Sequence, residues 1–311
     1  MSQRLRAELV LVLCTLIWGG TFVATRFILA DASALFVVTF RFGIGATVFL
    51  ILFARPILRA HPGLALRGLV LGIVLLGAFY LQTEGLKSTT VARSAFLTQF
   101  LVIFTPALQF ILWRRRPSVW TLAGIGVVLV GMLLLTWQPA HQPGATDGIS
   151  LYGILLQLKF GDWITLLSAM FYSVYILLVD YFRADVDTFV LAFWQSLVVG
   201  LVGSLLIFLL EPGVVRPGCA GWLALAYLTL PGVVLVVFLH LRYQPRTTPA
   251  RAALIFTLEP VFALLLAVII LHEQPPAISL MGVVLILAGI LLGELPFLWS
   301  ERGANAEQAK L

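Results

Sequence analysis

The amino-acid sequence predicts an all-α integral membrane protein, with ten transmembrane helices arranged as two inverted five-helix repeats. Three observations support this fold class: the composition, the number of long apolar stretches, and an internal repeat at one constant spacing. Hydrophobic residues make up 61% of the 311 residues and charged residues only 11%, whereas soluble domains contain roughly 45–50% apolar and about 25% charged residues. Because a soluble core could not cover this much apolar surface, the composition indicates a polytopic membrane protein.

Apolar stretches long enough to cross a bilayer, at about 20 residues each, follow one another along the chain. Ten can be drawn, at residues 9–29, 33–54, 67–86, 93–113, 119–137, 162–182, 188–210, 220–241, 250–271 and 276–298. The first stretch follows basic residues, as a signal peptide would, but it is longer than the roughly 7–15 residues of a signal core and further spans follow it. We therefore interpret it as a retained first helix.

The basic residues predict the orientation of these spans. Ten crossings place both termini on one side of the membrane. A cytoplasmic placement of the termini leaves 14 Lys and Arg residues inside and five outside, with Arg41 within the second span. The positive-inside rule therefore predicts cytoplasmic termini, with residues 299–311 as a cytoplasmic tail. Since the basic residues lie between the spans, the net charge of +6 reports orientation and predicts no nucleic-acid partner.

Two parts of the chain repeat one another. The words TTVARSAF at 89–96 and TTPARAAL at 247–254 match at an offset of 158 residues, and the same offset pairs Gly124 with Gly282. Near the start of each half, IWGGTFVA aligns with MFYSVYIL at a slightly smaller offset. This long correspondence indicates a duplicated unit.

The repeat divides the chain into a first unit at residues 1–137, a linker at 138–160 and a second unit at 161–298. Each unit holds five helices, so the second must enter the membrane from the opposite side. Inverted repeats are a transporter architecture, with the substrate site near the midplane where the units meet. The sequence therefore predicts a carrier that works by alternating access.

Short motifs extend over nearly the whole chain, in order, in both halves. They are WGGTF in the first span, FRF in the second, QTEGLKSTTVARSAFLTQF, RTTPARAALIFTLEPVFALLLAVIILHE and the closing GVVLILAGILLG. Together they resemble the drug/metabolite transporter superfamily, and within it the ten-helix EamA-type permeases. The resemblance implies an inner-membrane carrier, often an exporter of amino acids, related metabolites or drugs.

Glu259 and Pro260 lie halfway along the ninth predicted span. A charge at this depth costs roughly 2.5–3.5 kcal/mol on insertion scales and usually faces a cavity or a partner. Desolvation disfavours the charged form of a carboxyl group, so Glu259 is a candidate for proton coupling or for contact with a substrate amine. A structural carboxyl paired with a hydroxyl or an arginine is the alternative. Pro260, like Pro106 in the first repeat, removes an amide donor and is predicted to bend a cavity-lining helix.

Three arginines are further candidates. Arg93 and Arg251 begin the fourth and ninth spans on opposite membrane faces. Each is either an anchor whose head group reaches the interface or a gate that pairs with a carboxylate when its side closes, with Glu84 as one candidate partner of Arg93. Arg41 lies about 12 Å into the second span, where it could attract a substrate carboxylate or bind a neighbouring carbonyl.

Aromatic and amide side chains within the spans are candidates for the wall of a substrate cavity. Trp and Tyr normally gather at membrane interfaces, so deeper ones suggest a wall that stacks on a ring or shields a cation, although packing is the alternative for each. Buried amides could bind a solute or another helix. The candidates are Trp18, Tyr80, Tyr172, Trp194, Gln99 and Gln195.

Other functional classes lack support in the sequence. The four histidines are scattered, no catalytic cluster is evident, and no phosphate-binding Gly-Lys loop is present, so neither an enzyme nor an ATP-driven pump is expected. We expect no cofactor and no metal. The expected partners are a small-molecule solute, the bilayer and a proton as candidate coupling ion, and the protein could be a monomer or a homodimer. An uncoupled facilitator or a channel is the alternative function.

Overall fold

A computed structural model describes residues 3–89, 91–114, 117–135, 160–182, 187–211, 217–271 and 277–308. Within these ranges the chain is helical and forms no β-strand. The linker predicted at 138–160 lies outside the described residues except for Phe160, which begins a helix.

The first repeat contains six helices because one of its spans is broken. They are α1 (Gln3–Ile28), α2 (Ala34–Leu58), α3 (Pro62–Ser88), α4 (Val91–Thr98), α5 (Leu101–Trp113) and α6 (Val119–Leu135). Polar caps set several helix starts: the Ser33 hydroxyl accepts from the Phe36 amide at 3.0 Å before α2, in the manner of an N-cap.

The second repeat follows the same order with one irregularity in its third span. Its helices are α7 (Phe160–Tyr181), α8 (Thr188–Leu210), α9 (Cys219–Thr229), a π-helix (Leu230–Leu235), α10 (Val236–Tyr243), a 3-10 turn (Gln244–Arg246), α11 (Pro249–Phe256), α12 (Glu259–Leu271) and α13 (Ala277–Gln308). The Thr248 hydroxyl caps α11 by accepting from the Arg251 amide at 3.4 Å.

Each of the ten predicted spans coincides with one helix or with consecutive helices. Seven segments of the described chain are long and apolar enough to cross a membrane, and Val119–Leu134 and Leu280–Gly293 are shorter apolar helices. The all-α, two-repeat membrane fold is therefore confirmed. Helix α13 continues to Gln308, so part of the predicted tail at 299–311 is helical.

The fourth span of each repeat is broken at the same point. Helix α4 ends before Gln99, and α11 ends before Thr257, which is the equivalent residue at the offset of 158. At both breaks the chain tightens to i→i−3 hydrogen bonds, with the Gln99 amide 3.1 Å from the Phe96 carbonyl and the Thr257 amide 3.2 Å from the Leu254 carbonyl. Irregular backbone at membrane depth is tolerated only against protein or a wet cavity, so both breaks mark the protein interior.

The two prolines stand differently at these breaks. Pro260 is the second residue of α12, where the missing amide would have no helical partner, and Pro106 lies within α5. The first repeat breaks at Gln99 and Phe100, well before Pro106. Proline therefore accompanies the break in the second repeat, and the first repeat breaks without one.

Helices α6 and α13 show the two-fold relation between the repeats. A Cβ added at Gly124 would lie 2.5 Å from the Gly289 carbonyl oxygen, and one added at Gly131 would lie 2.8 Å from the Gly282 carbonyl oxygen. Gly282 and Gly289 are the equivalents of Gly124 and Gly131. The numbering rises along one helix as it falls along the other, so equivalent helices run antiparallel and the repeats are inverted.

Close approach at glycines also joins the second and third spans to the opposite repeat. A Cβ on Gly200 of α8 would lie 2.8 Å from the Gly43 Cα of α2. A Cβ on Gly72 of α3 would lie 2.7 Å from the Gln195 carbonyl of α8. Small residues let helix backbones pack this closely in a membrane, and the largest buried apolar cluster is built from α2, α3, α7, α8 and α10.

Candidate functional site: a cavity between the two repeats

A cavity lies between the repeats, next to both helix breaks. The cavity has a volume of about 40 Å³. That is room for a few waters, so the cavity is narrow. Its walls are formed by Trp18, Thr21, Leu75, Phe79, Gln82, Thr98, Leu101, Tyr172, Tyr175, Ile176, Val237, His240, Phe256 and Glu259.

Most of these side chains form pairs that are equivalent in the two repeats. At the offset of 158 the pairs are Phe79 and Val237, Gln82 and His240, Thr98 and Phe256, and Leu101 and Glu259. In the first helices, Trp18 and Tyr172, and likewise Thr21 and Tyr175, are near-equivalent, because their offset of 154 is one residue more than that of IWGGTFVA and MFYSVYIL. The cavity therefore lies on the axis that relates the two repeats, as expected of a substrate site in an inverted-repeat protein.

Glu259 is the charged residue of this wall. It is the first residue of α12, is 7% exposed, and its Oε2 accepts a hydrogen bond of 2.9 Å from Gln99 Nε2. The bond joins the helix break of the first repeat to the first turn after the break of the second. The Gln99 Oε1 atom has no partner among the described residues. Gln99 is fully buried and does not line the cavity, so Glu259 is the member of the pair that a molecule in the cavity can reach.

A chain of hydrogen bonds crosses the cavity beside Glu259. The Tyr172 hydroxyl donates to Gln82 Oε1 at 2.9 Å, and Gln82 Nε2 lies 3.1 Å from the Thr98 hydroxyl. Thr98 in turn donates to the Ser94 carbonyl at 2.9 Å. The chain links α7, α3 and α4, so a movement of one repeat against the other must break or rearrange it.

Aromatic rings form another part of the wall. The Trp18 ring is 5.5 Å from His240 and 5.4 Å from Phe256, and His240 is 5.3 Å from Phe256, each pair meeting edge to face. Trp18 Nε1 and His240 Nε2 are buried without hydrogen-bond partners in the described part of the chain. An apolar wall with unmatched polar atoms suits an amphipathic solute.

Arg41 lies directly behind this wall. Its guanidinium carbon is 4.5 Å from the centre of the Phe79 ring and 5.4 Å from that of Phe42, and the residue is 2% exposed. Its Nε and Nη2 donate to no atom of the described residues. Gln195, also predicted for the site, is one layer back, where its Oε1 accepts from the Tyr175 hydroxyl at 3.0 Å.

Two predicted wall residues are placed elsewhere. Trp194 packs against α3, so closely that a Cβ added at Gly68 would clash with the Trp194 Cβ. Its ring also meets that of Phe193 edge to face at 5.3 Å. Tyr80 is half-buried, one helical turn from Glu84. Both spans are apolar on all sides, so the sequence does not show which face meets the cavity. The structure therefore assigns Tyr80 and Trp194 to helix surfaces outside the cavity wall.

At one end of the cavity, Glu8 of α1 joins the two repeats. Its Oε1 accepts from Arg4 Nε at 2.8 Å, from the Thr247 hydroxyl at 3.4 Å and from Arg251 Nη1 at 3.5 Å. Thr247 and Arg251 precede and begin α11. The predicted gate residue Arg251 therefore pairs with a carboxylate, which the sequence analysis did not identify.

An equivalent contact lies at the opposite end. The Thr89 hydroxyl donates to Asp162 Oδ1 of α7 at 2.7 Å. Thr89 is the equivalent of Thr247, and Asp162 is the equivalent of Glu8 at the offset of 154. Arg26, 18 residues and so about 27 Å along α1 from Glu8, donates to the Leu86 carbonyl at 3.0 Å, which places the Thr89 contact at the far end of α1.

Arg93 and Glu84 are the remaining gate candidates. The backbone of Arg93 lies in α4, and its side chain is outside the described residues. Glu84, considered as its partner, instead forms an ion pair of 2.7 Å with Lys87 one turn away. In the described part of the chain no group of three His, Cys, Asp or Glu side chains could hold a metal ion.

Several residues of the cavity were missed by the sequence analysis. Gln82, Thr98 and Phe256 lie within the motifs quoted above but were not singled out, and His240 lies outside them. The offset of 158 could have found two of them, because it aligns the polar Gln82 with the polar His240 within otherwise apolar spans. A polar residue at the same depth in both repeats is a signal of a shared cavity.

These features define a class of protein. A cavity formed from equivalent residues of two inverted repeats, beside two broken helices and with polar contacts between the repeats at both ends, is the architecture of a membrane transporter. Comparison with known sequences gives the family. The EamA-like transporter family matches residues 5–137 and again 159–293, so the chain belongs to this family and contains its unit twice.

Individual relatives agree with this assignment. An uncharacterized transporter of Archaeoglobus fulgidus is 26% identical over 291 residues, 93% of this chain and 86% of its own. The uncharacterized transporter YoaV of Bacillus subtilis is 24% identical over 91% of this chain and 94% of its own. A solved crystal structure matches with a TM-score of 0.74 and 21% identity, covering 94% of this chain and 97% of its own, and at that identity it shows the fold alone.

Proposed function

We propose that the protein is a secondary transporter that exports amino acids or small amphipathic metabolites and drugs across the inner membrane by alternating access. The observation that carries this proposal is the cavity on the axis between the repeats, with Glu259 on its wall. Its walls are mostly apolar and aromatic with a few polar groups, as in sites for small organic molecules. The same features favour a carrier over an enzyme, because the polar groups do not form a catalytic set.

Polar contacts between the repeats near the two ends of α1 support alternating access. In this proposal the contact of Glu8 with Thr247 and Arg251 closes one end of the cavity, and the contact of Thr89 with Asp162 closes the other. We propose that these contacts open in turn, with Arg93 supporting the second as Arg251 supports the first. The helix breaks at Gln99 and Thr257 would act as hinges, because few backbone hydrogen bonds must change there.

The orientation and assembly are part of the same proposal. The excess of basic residues on one side supports cytoplasmic termini and a cytoplasmic tail at 299–311. The internal repeat supports units at 1–137 and 161–298 with a linker at 138–160. The Glu8 contact then closes the cytoplasmic end. The described lining residues come from both repeats of one chain, which supports a single chain as the transporting unit, whether the protein is a monomer or a homodimer.

Glu259 is proposed to couple solute movement to a proton. It is a buried carboxyl on the cavity wall, hydrogen-bonded by Gln99 and within electrostatic reach of Tyr172. No ion pair of Glu259 is formed among the described residues. A carboxyl without a fixed counter-charge can alternate between a proton and a cationic group of the solute.

Counterflow in proteoliposomes tests the proposal. Purified protein would be screened with labelled amino acids and aromatic cations, each with and without a pH gradient. We expect saturable exchange of one class, accelerated by the gradient, and loss of the gradient effect in Glu259→Gln. Glu84→Gln is the matched control, because Glu84 is paired with Lys87 outside the cavity wall.

The possible results separate the parts of the proposal. Gradient dependence that survives in Glu259→Gln would contradict the coupling role. Exchange without any gradient effect in the unmodified protein would leave an uncoupled facilitator. Linear, unsaturable flux would instead indicate a channel.

A further inference from the structure

Arg41 is a buried cation without a counter-charge among the described residues. The residue is 2% exposed in the first third of α2, and no described carboxylate forms an ion pair with it. Two of its donor atoms, Nε and Nη2, are buried and unpartnered. Buried charges in proteins are normally paired and hydrogen-bonded, because an unpaired one is costly.

The neighbours of Arg41 stabilise its charge only in part. The guanidinium lies 4.5 Å from the centre of the Phe79 ring, in cation–π distance, an interaction weaker than a buried ion pair. Its Nη2 would lie 3.6 Å from a Cβ at Gly232, within the π-helix Leu230–Leu235. The guanidinium thus fills a pocket between α2, α3 and the π-helix without using all of its hydrogen-bonding capacity.

This pocket adjoins the cavity. Phe79, whose ring faces the guanidinium, is a wall residue, and so is Thr21, whose Cγ2 would lie 3.2 Å from a Cβ at Gly232. Tyr172, also a wall residue, packs edge to face on the Phe79 ring at 5.3 Å. The cavity therefore has one acidic group on its wall and one basic group a single side chain behind it.

We propose that Arg41 is the anion subsite of the transported solute, and that the solute is an amino acid whose carboxylate reaches Arg41 while its ammonium group faces Glu259. This rests on the proposed transport function and adds the chemical class of the solute. The Phe79 ring covers the guanidinium in the narrow cavity and turns aside when the solute enters. A carboxylate supplies the planar, bidentate partner that an arginine fork matches best, and it satisfies the two free donors.

The test compares three probes that differ at one group: phenylalanine, phenylalanine methyl ester and phenethylamine. Counterflow would be measured with each, and the same set repeated in the leucine series. We expect the free acid to be exchanged more efficiently than the ester or the amine by about tenfold to a hundredfold, the factor for losing hydrogen bonds to a charged group.

Variants separate recognition from folding. Arg41→Gln should remove the preference for the acid while exchange of the amine continues, and Arg41→Lys should retain part of it. Arg67→Gln is the matched control, because Arg67 also lies over an aromatic ring, at 5.8 Å from that of Phe182, outside the cavity wall.

Each result is informative. If the unmodified protein exchanges the ester as well as the acid, or if Arg41→Lys and Arg41→Gln lower exchange of all three probes equally, the anion subsite is refuted and transport stands. This first comparison needs no variant, so a misfolded Arg41→Gln leaves the test intact. If the unmodified protein exchanges neither series but exchanges another solute of the wider panel, the amino-acid assignment is refuted. If it exchanges nothing, the transport proposal itself fails.

Discussion

Adjacent glycines of α1 meet two different obstacles, and the same substitution at each should give different results. A Cβ at Gly19 would lie 2.9 Å from the Ala263 amide nitrogen and 3.1 Å from the Glu259 carbonyl oxygen, which are backbone atoms of the first turns of α12. A Cβ at Gly20 would meet the hydroxyl of Tyr227, the far end of an exposed side chain. Only the Tyr227 side chain can rotate to make room; the backbone atoms near Gly19 cannot.

The magnitudes follow from these contacts. Gly→Ala in a helix contributes up to about 1 kcal/mol of stability at either position. At Gly19 the rigid contact adds an overpacking cost of about 1–3 kcal/mol, so we expect a net loss of up to about 2 kcal/mol. At Gly20 the Tyr227 ring can rotate, losing its 3.0 Å hydrogen bond to the Ile17 carbonyl, worth about 0.5–1.5 kcal/mol, so we expect little net change.

Thermal unfolding in detergent measures the difference directly. With about 2–4 °C of melting temperature per kcal/mol for a chain of 150–250 residues, Gly19→Ala should melt several degrees below Gly20→Ala. Transport should also fall in Gly19→Ala, because the clash lies beside the break before Glu259. A Gly19→Ala protein as stable as Gly20→Ala would show that α1 and α12 are not packed as closely as described.

Two further predictions concern the contacts between the repeats. Gly131→Val should lower the melting temperature by several degrees, because its Cβ would lie 2.7 Å from the Ile286 amide nitrogen, whereas Gly126→Val, which faces open space, should melt as the unmodified protein does. Thr89→Val removes the 2.7 Å hydrogen bond to Asp162 and should increase solute leak from loaded vesicles, a change not expected for Thr47→Val, whose exposed hydroxyl bonds only within α2. Equal leak from both would contradict the gate at Thr89.

The fold could be predicted from the sequence because repetition and hydrophobicity are properties of long segments. The offset of 158 that aligns TTVARSAF with TTPARAAL also aligns the ends of α4 and α11, to the residue. The helix break itself could not be read from Pro260 alone, since the first repeat breaks at Gln99 without a proline beside it. The sequence does not show that packing against the second repeat keeps residues 99 and 100 out of a continuous helix.

The candidate site was predicted in part for a related reason. Glu259 was identified because a charge in an apolar span is costly wherever it points, and Trp18 and Tyr172 because Trp and Tyr deep within a span suggest a cavity wall. The aromatic ring of Trp194 has the same character in the sequence, yet it packs on Gly68 of α3. In helices that are apolar all round, the face that meets the cavity is decided by helix packing, which one sequence does not contain.

The cavity combines a symmetric frame with asymmetric chemistry. The symmetric part is the helix breaks, the glycine contacts and the threonine–carboxylate contacts, which occur once in each repeat. When each of two inverted repeats adopts the conformation that the other had, the result is a mirror state that opens to the opposite side. In the proposed mechanism the two states can therefore be close in energy. The charged residues are not repeated: the equivalent of Glu259 in the first repeat is Leu101, and the equivalent of Arg41 in the second repeat is Val198 or Val199. In the proposed mechanism the frame allows both states, so a proton or solute that binds these unmatched charges needs only a small difference in affinity to bias which state is populated.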